Sequence, residues 1–130
     1  MKSLIIFVLS ILSCSGYAAS IDPIEKSLDE CLAKNENQTT AGMNNCVGTA
    51  TIAWDKELII VYGQLMLTLS IEGKKNLKES QMAWLKHRDL EYKLIDSVYA
   101  TKMGSMYSNI RAMNVLTLTK NRVLELRSYL

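Results

Sequence analysis

The sequence MNNCVGTATIAWDKELIIVYGQLMLTL, residues 43–69, decides the fold of this chain. Its apolar residues recur in steps of mostly three and four, at Met43, Val47, Ala50, Trp54, Leu58, Val61, Leu65 and Leu69. That spacing places them on the core-facing side of one long helix, because a helix completes a turn every 3.6 residues. No window of the sequence shows the sustained period-two alternation of a strand. The sequence therefore predicts an all-α domain.

Local signals predict where the first two helices begin. Asp22 is a suitable N-cap, Pro23 suits the first helical position, and Glu25 is placed to close a capping box. After a polar break, Thr39 or Thr40 is predicted to cap the long second helix. The first helix is therefore short, and the second carries the apolar residues of the opening stretch.

Two later breaks divide the rest of the chain into two more helices. Gly73 is predicted to end the second helix as its C′ residue. A third helix is predicted over residues 75–100, and a last helix follows the break at 103–105 and runs to Ser128. The prediction is a small helical bundle built on a long antiparallel helical hairpin. The short first helix is joined to it by one disulfide, and the last helix packs across it.

The N-terminal segment, residues 1–19, is predicted to be a signal peptide. Lys2 supplies a positive charge, and residues 4–12 form an apolar run that is too short to span a bilayer. Small residues at 16–20 suit cleavage. The predicted mature domain is residues 20–130, with a periplasmic or secreted location.

Cysteine usage agrees with export. Cys14 leaves with the signal peptide, so the mature chain keeps the pair Cys31 and Cys46, which is predicted to form a disulfide. Lipidation of Cys14 is the disfavoured alternative, because Leu12 is bulky for that processing site.

The charge balance excludes several classes of partner. The formal net charge is +2, and removal of Lys2, the one charged residue of the signal peptide, leaves +1. A chain so nearly neutral has no strong electrostatic reason to bind nucleic acid or an anionic membrane. No stable membrane span is predicted for the mature domain.

No pattern of residues indicates catalysis, a metal site or a cofactor. His87 is the only histidine, and it is far in sequence from both mature cysteines, which are expected to be oxidised. The carboxylates that could serve a hydrolase are expected at solvated helix positions, unpaired with one another. They are Glu25, Asp29, Asp55, Glu57, Glu72 and Glu79. We therefore predict a protein that is not an enzyme.

A second informative stretch is QMAWLKHRD, residues 81–89. Read as helix, Gln81, Trp84 and Arg88 fall at i, i+3 and i+7 and share one face. An amide, an indole and a guanidinium on one face all require partners, which ordinary core residues do not.

These polar side chains have two interpretations. The favoured one is a structural cluster, in which they and Asp89 contact the last helix near Thr117 or Arg122 and the Arg88 guanidinium stacks on Trp84. The alternative is that Trp84 and Arg88 anchor a binding partner, since these residue types are enriched at interface hot spots.

Residues 58–71 are apolar on nearly all sides. Ile59, Ile60, Met66 and Leu67 lie outside the main apolar spacing of this helix. The favoured interpretation is a helix buried on two faces. The alternative is an exposed apolar patch that binds a partner or forms a homodimer.

Spaced motifs along the chain resemble a known family. They are Thr40-x-x-Met43-x-x-Cys46, Asp55-x-x-Leu58-x-x-x-Tyr62, Leu77-x-x-x-Gln81-x-x-Trp84-x-x-x-Arg88-Asp89, Leu116-Thr117 and Arg122-x-x-x-Leu126. Together they resemble the N-terminal domain family of the lysozyme inhibitor LprI, small exported bacterial proteins, over residues 31–126. The resemblance implies a helical, disulfide-bonded envelope domain. It also implies seven signature residues with a structural or binding role: Tyr62, Gln81, Trp84, Arg88, Asp89, Thr117 and Arg122.

One departure from the family pattern concerns its second disulfide. The two cysteines that the resemblance implies would fall at Tyr92 and Met113, and both are replaced by large side chains. Losing both together suggests that apolar packing stands in for the covalent link. The attachment of the last helix should weaken by about 3 kcal/mol at most.

The function that the resemblance implies is non-covalent inhibition of a lysozyme-like muramidase. Host lysozymes are basic, so an acidic surface is expected. Such a surface could come from Asp22, Glu25, Asp29, Glu30 and Glu36. The alternative is a periplasmic structural or interaction module, dimeric through the apolar second helix and unconnected with muramidases.

Overall fold

The computed structural model describes residues 21–130, and the predicted signal peptide lies outside the described residues. The described chain is helical throughout and contains no strand, which confirms the predicted all-α class. Its four α-helices are α1 (Pro23–Leu32), α2 (Thr40–Thr68), α3 (Ile71–Ala100) and α4 (Met106–Arg127), with a 3₁₀ turn at Asn35–Asn37.

The start of α1 follows the prediction in part. Asp22 is the N-cap, and its carboxylate accepts a hydrogen bond from the backbone N–H of Ile24 at 2.8 Å. The capping box is wrong, because Glu25 does not turn back to the cap. Its carboxylate instead contacts Trp54 and Lys120 on other helices, where it satisfies groups that have no other acceptor.

The connection between α2 and α3 lies earlier than predicted. Helix α2 ends at Thr68, and α3 begins at Ile71. Ser70 caps α3 by accepting a hydrogen bond from the N–H of Gly73 at 3.2 Å. Gly73 is therefore in the first turn of α3 and is not a C-terminal glycine, because the Ser70 side chain supplies the N-cap acceptor of the new helix.

The predicted helical hairpin is present. Only Leu69 and Ser70 separate α2 from α3, and the two helices run antiparallel. The alignment is visible where Arg88 Nη1 on α3 lies 3.7 Å from Asp55 Oδ1 on α2.

Helix α4 packs against both arms of this hairpin. It makes its most extensive contact with α2, to which it runs parallel. It runs antiparallel to α3, as contacts of Arg111 with Asp96 and of Arg122 with Gln81 show. The centre of the domain is therefore the α2–α4 pair.

The hydrophobic core lies mainly between α2 and α4. Its buried side chains are Leu28, Cys46, Val47, Ala50, Trp54, Leu58, Val61, Leu65, Leu77, Leu116, Val123 and Leu126. The predicted spacing on α2 is confirmed, with only its end residues Met43 and Leu69 partly exposed. Each such aliphatic side chain contributes roughly 2 kcal/mol on burial. Helix α3 supplies only Leu77, so its attachment depends on half-buried and polar contacts.

The predicted disulfide joins α1 to α2. Cys31 and Cys46 are bonded, with their Cα atoms 5.8 Å apart. By the chain-entropy estimate, closing a loop of this length stabilises the fold by about 3 kcal/mol. The link matters because α1 is only 10 residues long and buries a single residue fully.

The outer side of α2 departs from the favoured expectation. Ile59, Ile60 and Leu67 are exposed, so the helix is buried on one face and not on two. Within residues 21–130, no helix combines the length and the apolar character needed to cross a bilayer.

Candidate functional site

A buried arginine on α4 organises the contact with α3. The side chain of Arg122 is only 6% exposed. Its Nε donates to Gln81 at 3.1 Å, its Nη2 donates to Ser80 at 3.0 Å, and its Nη1 pairs with Glu125 at 2.7 Å. Each guanidinium nitrogen thus has an acceptor, which removes most of the penalty of burying the charge. The expected contact between the 81–89 stretch and Arg122 is present.

Two guanidinium groups approach the indole of Trp84. The central carbon of Arg88 is 5.4 Å from the centre of the indole, and that of Arg122 is 6.0 Å from it. Arg88 also approaches the ring of Tyr92, at 5.5 Å. Contacts of this kind contribute roughly 0.5–1 kcal/mol each at partly exposed sites. The stacking of Arg88 on Trp84 therefore occurs as predicted, and α4 adds a second cation.

Arg88 is paired less completely than Arg122. Its Nη1 lies 3.7 Å from Asp55, and its Nη2 contacts Asp89 at 3.4 Å. Within the described chain, its buried Nε has no acceptor. Asp55 is shared, since it also accepts a hydrogen bond from Thr119 of α4 at 3.3 Å. Nη1 of Arg88, beyond hydrogen-bond distance of Asp55, thus keeps unused hydrogen-bonding capacity.

A groove of about 330 Å³ opens beside Arg88, between α2 and α3. We call it the α2–α3 groove. It is lined by Asp55, Leu58, Ile59, Tyr62, Gln81, Leu85 and Arg88. Its walls are mainly apolar, and the carboxylate, amide and guanidinium supply its polar part. Three of the seven signature residues therefore line one groove, although they are as much as 26 positions apart in sequence.

The remaining signature residues divide between the cluster and the surface. Asp89 is exposed and contacts only its neighbour in this cluster. Thr117 is also exposed, and its hydroxyl donates to the carbonyl of Met113 within α4. The expected contact at Thr117 is therefore not made. Thr119, two residues later, is fully buried on the inner face of α4, and its hydroxyl donates to Asp55 of α2 instead.

A second polar cluster, which the sequence patterns do not indicate, joins α1 to the core. Glu25 accepts a hydrogen bond from the indole N–H of Trp54 at 3.2 Å and forms an ion pair with Lys120. Glu25 was expected to be solvated, and that expectation is wrong. The missing information is tertiary, because the three residues lie on three different helices.

Arg127 extends this cluster at the end of α4. It forms ion pairs with Asp22 and Glu57, and its guanidinium lies 5.5 Å from the centre of the Trp54 indole. Burial alone would raise the pKa of Asp22. The hydrogen bond from Arg127, the backbone N–H of Ile24 and the Arg127 charge outweigh it, so the pKa falls below its usual value. Glu57, like Asp55, is paired and not simply solvated.

These pairings correct the expected acidic surface. Asp22 and Glu25 are neutralised by basic residues of α4. Only Asp29, Glu30 and Glu36 stay exposed, and Glu30 lies 3.8 Å from a lysine. The first helix therefore presents no strongly acidic face.

Two features of residues 21–130 concern metal binding and acid–base chemistry. Residues 21–130 contain no group of three or more side chains suited to hold a metal ion. The His87 side chain is exposed on α3, and its Nδ1 lies 3.9 Å from Glu91. Its position agrees with a surface helix residue and places it outside both polar clusters.

Comparison with known proteins identifies the family. Residues 31–126 match the lysozyme inhibitor LprI family, which covers most of the chain. The chain belongs to this family. A crystal structure of an uncharacterised protein from Burkholderia thailandensis matches this LprI-family chain with a TM-score of 0.80 and 33% sequence identity over 84% of its length. The chain spans 53% of the length of that protein. No functionally curated protein matches it in sequence.

The two positions at which the resemblance implies a second disulfide fall on facing helices. Tyr92 lies on α3 and Met113 on α4, between the two contacts that align these antiparallel helices. That register places the two residues opposite each other. Tyr92 is half-buried under Arg88, so an aromatic contact occupies the space beside the position of a sulfur bridge.

Proposed function

We propose that this protein is an exported inhibitor that binds a lysozyme-like muramidase non-covalently, using the α2–α3 groove. Membership of the LprI family over residues 31–126 is the observation that carries the proposal. The family is one of inhibitors, and the proposal accordingly assigns no catalytic residue, metal or cofactor. The predicted signal peptide would place the protein in the periplasm or outside the cell.

The groove is the surface that best fits this role. Tyr62, Gln81 and Arg88 of the family signature line it, and exposed Ile59 and Leu85 stand beside them. A partner could bury these two apolar side chains, which gives an apolar centre with a polar rim. It could also supply an acceptor oxygen to Nη1 of Arg88, which lies 3.7 Å from Asp55, beyond hydrogen-bond distance.

The electrostatics of the surface shape the expected mode of binding. The first helix lacks the acidic face that would attract a basic enzyme over a distance. Recognition through the groove would therefore depend on shape and apolar contact. We expect inhibition that changes little between low and physiological salt, because long-range charge steering is weak.

A muramidase assay tests the proposal. The oxidised protein, produced from the full chain in an exporting host, would be titrated against an animal and a bacterial lysozyme on cell walls. Saturable, stoichiometric inhibition is expected. Leu85→Glu in the groove should abolish it, and Leu94→Glu, also exposed on α3 but outside the groove, should not. A folded wild-type protein without effect at tens of micromolar would reject the proposal.

The exposed side of α2 favours a second candidate function. An apolar face left open within one chain fits a periplasmic interaction module that has no muramidase target. Association of the protein without any inhibition would support that candidate.

A further inference from the structure

The outward face of α2 carries an unusual set of side chains. Ile52, Ile59, Ile60 and Leu67 are 58, 72, 52 and 83% exposed. They share this face with two further exposed residues. We call the whole set the α2 stripe: Ile52, Lys56, Ile59, Ile60, Gly63 and Leu67. One charge in six exposed positions is low for the solvent side of a helix, where charged residues usually predominate.

Gly63 has no evident role inside the domain. It lies within α2 and is exposed, and no atom beyond its chain neighbours and the adjoining helix backbone comes within 4 Å of the place that a side chain would occupy. A glycine inside a helix costs about 1 kcal/mol relative to alanine. Since packing within the domain does not require it, the missing side chain leaves room for something outside the domain.

The α2 stripe has the same spacing in both directions. Its midpoint falls between Ile59 and Ile60, and each member has a counterpart at the same distance on the other side. The three pairs are Ile52 with Leu67, Lys56 with Gly63, and Ile59 with Ile60. Two of these pairs consist of two apolar residues. The third pairs the long charged side chain of the stripe with its glycine.

We infer that the α2 stripe binds the α2 stripe of a second copy, with the two helices antiparallel about a two-fold axis between Ile59 and Ile60. A two-fold axis brings the same patch of both copies together, so the patch must complement itself. Such symmetric spacing occurs on any helix face, so the condition is met by the matching of residue types across the midpoint. Bulky residues then contact bulky residues, and the aliphatic part of Lys56 lies across Gly63 of the other copy while its ammonium group reaches water.

The charge of the face agrees with a second copy as the occupant. In the dimer, Lys56 of one copy lies opposite Gly63 of the other. The Lys56 residues of the two copies are therefore offset along the helix axis by seven residues. At 1.5 Å per residue this is about 10 Å. That distance is close to the Debye length at physiological salt, so their repulsion is largely screened. No carboxylate lies in the stripe, so the dimer buries no uncompensated acid.

The dimer does not rest on the proposed muramidase inhibition, and separate residues test the two. Ile60 belongs to the α2 stripe and does not line the groove, whereas Leu85 lines the groove and is outside the stripe. Ile59 belongs to both and is therefore unsuitable as a single test.

Sedimentation equilibrium measures the association directly. The oxidised protein from the full chain should be dimeric at high micromolar concentration. Ile60→Glu places a carboxylate from each copy beside the axis and should raise the dissociation constant at least about tenfold. Leu94→Glu, equally exposed on α3, should leave it unchanged. Circular dichroism would check that each variant is folded.

Two further variants test the register. Ile59→Lys combined with Ile60→Glu places opposite charges across the axis and should restore association that Ile60→Glu loses. Ile60→Cys should form a disulfide-linked dimer on mild oxidation, whereas Leu94→Cys should not. A wild-type protein that stays monomeric at hundreds of micromolar, or a dimer unaffected by Ile60→Glu, would overturn the inference. The inference would also be overturned if the protein alone is monomeric and Ile60→Glu loses lysozyme binding. The α2 stripe would then be the surface that binds lysozyme.

Discussion

The indole N–H of Trp54 donates a hydrogen bond to Glu25 at 3.2 Å, across the contact between α1 and α2. Trp54 is fully buried, so this carboxylate is the acceptor for a donor that water cannot reach. The same carboxylate pairs with Lys120 of α4. One side chain on the shortest helix thus contacts both members of the central α2–α4 pair.

Replacing Glu25 should therefore destabilise the domain more than replacing an exposed residue of α1. We expect Glu25→Ala to lower the free energy of unfolding by about 2 kcal/mol, because it leaves the buried Trp54 N–H without an acceptor. Glu25→Gln should cost less, since its amide oxygen can still accept. Urea denaturation followed by circular dichroism would measure both. Glu30→Ala, at an exposed pair, is the control, and an equal effect of Glu25→Ala and Glu30→Ala would contradict the interpretation.

The ion pair of Asp22 with Arg127 should make the free energy of unfolding fall at acidic pH. The folded-state pKa of Asp22 lies below its unfolded value of about 3.9. The unfolded chain therefore takes up this proton more readily. The contribution is fully present above about pH 4 and is lost as the pH falls through the folded-state pKa. Asp22→Asn keeps an N-cap side chain but removes the charge.

Unfolding free energies of the wild type and Asp22→Asn, measured from neutral pH down to about pH 2, would test this. The difference between them should be constant near neutral pH and should shrink below about pH 4. A difference that does not depend on pH would show that the charge of Asp22 contributes nothing.

Arg122 should be sensitive even to a conservative change. Its three guanidinium nitrogens reach Gln81, Ser80 and Glu125 on two helices, and an ammonium cannot reproduce that planar arrangement. We expect both Arg122→Lys and Arg122→Ala to cost about 2 kcal/mol or more in thermal or urea denaturation. Arg111→Ala, which removes an exposed pair with Asp96, should cost less than about 1 kcal/mol. Full stability of Arg122→Lys would show that only the charge matters.

A second disulfide, at the positions that the resemblance implies, should form in this chain when both cysteines are introduced. Tyr92→Cys combined with Met113→Cys should form a bond between α3 and α4, because the helix register places these positions opposite each other. The loop spans 21 positions and should add about 3 kcal/mol, less the lost aromatic contact with Arg88. Thiol titration would detect the bond, and thermal denaturation against each single variant would measure its effect. Two titratable thiols in the oxidised double variant would show that the register argument is wrong.

Local periodicity and capping explain the parts of the fold that the sequence predicts well. The core face of α2 is correct from Val47 to Leu65 because helix periodicity alone decides which side chains share a face. The helix-ending role of Gly73 is wrong for an equally local reason. Ser70 competes as an N-cap, and the sequence does not show which of two adjacent signals prevails.

The partners of the polar side chains follow from tertiary structure alone. The stretch from Gln81 to Asp89 indicates a polar cluster, yet only the register of α4 brings Arg122 and Thr119 to it and turns Thr117 outward. The same holds for Glu25, whose partners lie 29 and 95 positions away. Spacing along one helix carries no information about such contacts.

By itself, the sequence determined the helical class, the disulfide, the core face of α2 and the LprI family. All four depend on residue types at short or regular spacing. Only the tertiary structure decided that Ile59, Ile60 and Leu67 remain exposed and that Tyr62, Gln81 and Arg88 line one groove. The physical reason is that an apolar side chain favours burial wherever it lies. Whether it is buried depends on which helices remain to cover it, and α4 and α1 cover only the other side of α2.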